Sequence, residues 1–255
     1  MLLANFWYFV NTQDDPQDYE VEYQISNESG KYLQCLSLYP NDFWKYTTTV
    51  FFYVNHKEKN FSEIFTDFLK ELVAFLFAKF IDYPSVNAIK DDTYISCISL
   101  FNGEGLKYRY ILNKDLIKTE ITKHSSSRLS RSLLLLHAYL DNNQHNIISD
   151  TFDIEHIFPK KWQDTNYNGW NIADALHYLD RFGNKIVFEK KLNIQAGNGY
   201  FGIKKSRYSQ SQIATVLELS NYQSNDWVKK DIEEREKKFI DDILNFFEKY
   251  IPQEI

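Results

Sequence analysis

Cysteine is scarce: the chain of 255 residues has two, Cys35 and Cys97, far apart and in no CxxC pair. That excludes a disulfide framework and a structural zinc knuckle, and it fits a reducing compartment. Five prolines and eight glycines exclude a collagen-like or low-complexity chain and argue for one rich in regular elements. No long hydrophobic run is present. The most apolar window, residues 72–81, contains Lys79 and follows Lys70 and Glu71, so it is too short for a bilayer and fits a buried helix. The first residues, from Met1 to Trp7, show neither a basic n-region nor a small-residue cleavage site, and the expectation is a soluble, cytoplasmic protein. An excess of positive charge is missing too. Lys and Arg number 29 against 35 Asp and Glu, a net charge of −6, which speaks against a general nucleic-acid coat.

Aromatic residues are plentiful, with 18 Tyr and 20 Phe. In residues 1–110 their richness reads as core and not as a base-stacking platform. Charge is uneven along the chain: residues 151–208 carry nine basic and six acidic side chains and are the one net-positive block. A local basic surface on an acidic protein can hold phosphates at one site.

Residues 11–18 read as a polar loop, and residues 21–25 and 47–54 are β-prone, although residues 43–53 fit a buried helix. Apolar residues at three- and four-residue steps predict a core helix over 62–81, N-capped by Ser62 and ended by Pro84. A second helix is expected over 128–140, with Leu129, Leu133, Leu136 and Leu140 on one stripe. A third is expected from Trp227, capped by Asp226 and stopped by Pro252. From 149 to 198 the pattern turns to short strands and loops. The expected layout is α+β and predominantly helical: a helical body at 1–148, suited to docking a partner, and a site domain at 149–255 with a C-terminal helix.

The chemistry concentrates in Asp153, Ile154, Glu155, His156, Ile157, Phe158 and Pro159. Strand alternation puts Asp153 and Glu155 on one face and His156 on the other, and Pro159 ends the strand. Downstream, Gly183 and Asn184 form a turn before the β-prone residues 186–188, and Asn193 comes nine residues after Asn184. Pairing of 186–188 antiparallel to the strand of Glu155 would let Asn193 return towards Glu155. A carboxylate and an amide oxygen are hard ligands suited to Mg²⁺ or Mn²⁺.

This order of motifs resembles the ββα-metal fold of HNH endonucleases, and more specifically the C-terminal domain of GmrSD-like, modification-dependent restriction endonucleases. The core of the resemblance covers about residues 150–208. It implies that His156 is the general base and that Glu155 and Asn193 hold the divalent metal, with Asp153 in a supporting role. It implies further that Asn184 fixes the loop orienting His156, and that Lys204 or Lys205 contacts phosphate; Lys190, in the pair Lys190-Lys191, is a further candidate for phosphate on its charge alone. DNA is the implied substrate. The sequence shows neither the Asp-Gly-Gln-Gln-Arg motif nor a Walker loop of the nucleotide-binding half of such enzymes, and two explanations stay open: the sequence is a fragment of a longer protein, or a protein partner supplies that half. Two other readings stay open: a non-catalytic DNA- or partner-binding module, and an RNA-directed nuclease or toxin. His137, in an apolar helix, reads as a satisfied core histidine, and His177 is the rival for a site role.

Overall fold

The computed structural model describes residues 2–12, 23–163, 167 and 169–251. Most of the polar loop expected at 11–18, the β-prone residues 21 and 22, and the helix stop expected at Pro252 lie outside the described residues. Twelve α-helices and one two-stranded sheet are present among the described residues, so the fold is α+β and predominantly helical. The chain forms two compact units, Met1–Ile117 with Phe246–Ile255, and Lys118–Asn245.

The first unit contains α1 (Leu2–Thr12), α2 (Asn27–Ser37), α3 (Trp44–Asn55), α4 (Phe61–Asp82) and α5 (Lys90–Phe101). In α3 the run Thr47, Thr48, Thr49 is β-prone, yet each hydroxyl donates to a carbonyl three or four residues back, so the helix satisfies it. The helix expected at 43–53 therefore prevails over a strand. Burial decides it as well: Phe52 stacks on Phe6 at 4.0 Å and meets the edge of Phe61 at 5.7 Å. These rings are core, as their number suggested. In α4 the apolar steps are buried as expected, but Asn60 occupies the N-cap position and Ser62 lies inside the helix, its carbonyl accepting from Thr66. The helix stops before Pro84, whose ring disfavours helical geometry at Tyr83.

The second unit contains α7 (Ser130–Tyr139), β1 (Phe152–His156), α8 (Ile172–Tyr178), β2 (Lys185–Glu189), α9 (Lys190–Ala196), α10 (Phe201–Tyr208) and α11 (Ala214–Ser220). α6 (Lys114–Glu120) spans the boundary at 117, and residues 229–245 of α12 (Lys229–Tyr250) belong to the second unit. The two compact units part at Ile117. The physical reason is that residues 118–148 pack on the sheet: Arg131 donates to the Phe152 carbonyl at 2.5 Å with its guanidinium 4.1 Å from the ring, and Lys185 reaches the Ser125 carbonyl at 3.0 Å. His137 on α7 is buried with its Nε2 3.3 Å from Asp242, the satisfied core histidine expected. α12 begins two residues after Trp227, and Asp231, not Asp226, accepts from the N–H of Val228.

β1 and β2 pair antiparallel, with Glu155 opposite Ile186 and His156 opposite Lys185. The turn Phe182–Asn184 before β2 lies directly on α12. A Cβ on Gly183 would stand 1.9 Å from the Ile232 carbonyl oxygen, so only glycine fits there. Arg235 Nη1 donates to the carbonyls of Phe182, Gly183 and Lys185 at 2.8–3.2 Å. Buried Glu236 accepts from the Phe182 N–H at 3.0 Å and from Arg181. Gly183→Ala is expected to destabilise the protein by ~3 kcal/mol, the upper end of the usual overpacking cost, because helix backbone must yield to the methyl group. Urea unfolding checks this, and a loss below ~1 kcal/mol would show that the turn and helix separate freely.

Candidate active site

Two ladders of side chains leave β1 in opposite directions. Phe152, Ile154 and His156 share a face with Lys185, Val187 and Glu189, while Asp153 and Glu155 share the other with Ile186 and Phe188. His156 is the last residue of β1, and the turn beyond it is fixed by Asn184. The Asn184 side chain is fully buried; its Oδ1 accepts from Phe158 N at 2.7 Å, and its Nδ2 donates to the carbonyls of Phe158 and Leu179 at 3.0 and 2.9 Å. Its backbone carbonyl takes the N–H of Ile157. The amide thus ties the turn after His156 to the end of α8, with two of its bonds on Phe158 and one on Leu179.

His156 Nε2 lies 3.4 Å from Asp180 Oδ1, and the same carboxylate oxygen accepts from Lys185 Nζ at 2.8 Å. Burial lowers the His156 pKa to about 4, with Lys160 and Lys185 adding to the effect and Asp180 opposing it. Lys185 in turn holds Asp180 below the usual carboxylate range. The imidazole is therefore neutral at pH 7. Assigning the proton to Nε2, which faces the Asp180 carboxylate, leaves the lone pair on Nδ1.

On the other face Glu155 is 4% exposed, and its Oε1 accepts from Lys204 Nζ at 2.7 Å and from Tyr208 OH at 2.9 Å. Lys204 is 1% exposed and donates also to the carbonyls of His156 (2.7 Å) and Ile157 (3.4 Å). Burial pushes Glu155 up and Lys204 down, while their mutual attraction opposes both shifts. Asn193 is half-buried on α9, and its side chain makes no hydrogen bond among the described residues. Asp153 is half-buried and Lys190 exposed. Lys205 Nζ reaches the carbonyls of Tyr222 and Ser224 and so ties α10 to the loop after α11. His177, the rival, is exposed on α8.

Against the expectations, Lys204 faces inwards and not towards a phosphate. A divalent cation does not fit Glu155 as the site is built: on Oε1 it would stand beside the Lys204 ammonium in a dry environment, where like charges repel strongly. Among the described residues no three His, Cys, Asp or Glu cluster as a metal site would need. Sequence reasoning missed Asp180, Lys185 and Tyr208. Two signals were present: opposite charges bracketing the Gly-Asn turn, and Lys204 with Tyr208 one helical turn apart.

The model of the GmrSD restriction endonuclease C-terminal domain matches residues 107–242, more than half of the chain. The chain belongs to this family. The GmrSD C-terminal domain match spans both strands, the Asn184 turn and the part of α12 that carries Arg235 and Glu236, and its start at 107 also precedes the second unit. A search of curated proteins gives no significant match.

Since His156 titrates near 4 when folded and near 6.5 when unfolded, the unfolded chain binds more protons between those values. Stability is accordingly expected to rise with pH from about 4 to about 6.5 by up to ~3 kcal/mol and to lose this contribution as pH falls through that window. Nitrogen NMR of the His156 ring should give a midpoint well below 6, lower still in Asp180→Asn. A midpoint at 6.5 would show that the ring is not enclosed as described.

Proposed function

We propose that the chain hydrolyses phosphodiester bonds in DNA, as the cleaving part of a system that restricts foreign or modified DNA. The observation that carries this reading is the state of His156. It is a neutral imidazole facing the Asp180 carboxylate, on a turn locked by Asn184, in a chain of a restriction endonuclease domain family. Such a group can take a proton from an attacking water at Nδ1.

Burial keeps His156 neutral, and the cations that add to its effect serve the same chemistry. Lys160 and Lys185 lower its affinity for a proton while the site is empty of substrate. A bound phosphate would offset their charge, raise the His156 pKa towards neutrality and so make the base stronger when substrate is in place. Asp180 would orient the ring and stabilise the imidazolium that forms.

His156→Ala is expected to cut the rate of DNA cleavage, assayed with Mg²⁺ and with Mn²⁺, by ~10²–10⁴-fold at unchanged circular dichroism. Cleavage at the wild-type rate would falsify the mechanism. DNA binding without cleavage under all these conditions favours a non-catalytic module, and preferential cleavage of RNA in competition favours an RNA-directed nuclease.

A further inference from the structure

On α10, Lys204 and Tyr208 are four residues apart and so project from one face of the helix. Both reach a single carboxylate oxygen, Glu155 Oε1, 49 and 53 residues earlier in the chain. The Tyr208 ring meets the edge of Phe188 at 5.3 Å, which seats α10 on the Glu155 face of the sheet. An ammonium has three N–H donors. Lys204 has three acceptors in reach: Glu155 Oε1, the carbonyl of His156 and the carbonyl of Ile157. No donor is left for a phosphate, and the two carbonyls belong to the base and to the residue after it.

We infer that Glu155 is a positioning residue and not a metal ligand: through Lys204 it holds the backbone of His156 and Ile157, and the Lys204 ammonium supplies at Glu155 the positive charge that the resemblance gives to a divalent cation. The inference rests on the reading of His156 as the base. His156 is thereby fixed from two sides, by Asn184 on the turn beyond it and by Lys204 on its own carbonyl. Glu155 and Lys204 form a neutral unit, so removing one member leaves a buried charge, while removing both charges together does not.

The test uses the full chain and three variants: Glu155→Gln, Lys204→Met, and the two combined. Three readouts are taken: thermal unfolding, Mn²⁺ affinity by electron paramagnetic resonance, and the rate of DNA cleavage. For a positioning pair, Lys204→Met lowers the melting temperature more than the double variant does. Cleavage falls at least tenfold in Lys204→Met and in the double variant alike, because both lack the ammonium that holds the two carbonyls. Mn²⁺ affinity, whatever its value in the wild type, stays within twofold in Glu155→Gln and in the double variant. The inference is overturned if Glu155→Gln loses tenfold or more in Mn²⁺ affinity, or if Lys204→Met cleaves DNA at the wild-type rate. Additive melting shifts overturn it as well. Full activity of His156→Ala, with the coupled melting shifts intact, would remove the nuclease reading while leaving the Glu155–Lys204 pairing established.

Discussion

The centre is built on a ladder of five residue pairs, which buries too little surface to hold its own shape. Its geometry depends on the contact between the Phe182–Asn184 turn and α12, where Gly183 lets two backbones touch. Arg235 then satisfies three carbonyls at once, and Glu236 takes the Phe182 N–H and the Arg181 guanidinium. Burial lowers the Arg235 pKa to about 10 and still leaves it charged at neutral pH. From this clamp the order passes along Asn184 to Phe158, and so to the histidine between the strand and the turn.

The two faces of the sheet divide the chemistry. One presents His156 to Asp180 and Lys185 near the surface, with the His156 side chain still 11% exposed. The other seals Glu155 under α10 with a lysine and a tyrosine. Adjacent residues of a strand point in opposite directions, so an acid next to a histidine is not thereby an acid beside its ring. The acid here works on the backbone of the histidine, and the carboxylate beside the imidazole is Asp180, which comes 24 residues later.

The sequence made the framework of this region legible because the relevant signals are local. Alternation from Asp153 to His156, the proline stop at Pro159 and the turn at Gly183 and Asn184 define the hairpin, and the structure pairs its strands antiparallel. Long periodic stretches were legible too, as α4, α7 and α12 show. Three kinds of feature were not. Helices of seven or eight residues, such as α8 to α11, offer about two turns, too few for a period to emerge. Caps were misplaced at Ser62 and Asp226 because several polar residues compete at each helix start. The pairing of Glu155 with Lys204 spans 49 residues and depends on burial, which neither residue type predicts. Lys204 looked like a surface cation for that reason.

The clamp has a bearing on when this region takes its shape. Arg235 and Glu236 lie about fifty residues beyond the turn they hold. A chain emerging from the ribosome exposes His156, Asn184 and Lys204 well before it exposes the helix that orders them. Through that interval the hairpin has no partner for its turn carbonyls, and Gly183, with no side chain of its own, leaves the turn free to move. A centre assembled in this order takes its working form only after synthesis has passed Glu236, so a nascent chain carries the histidine for some eighty residues before the histidine is held in place.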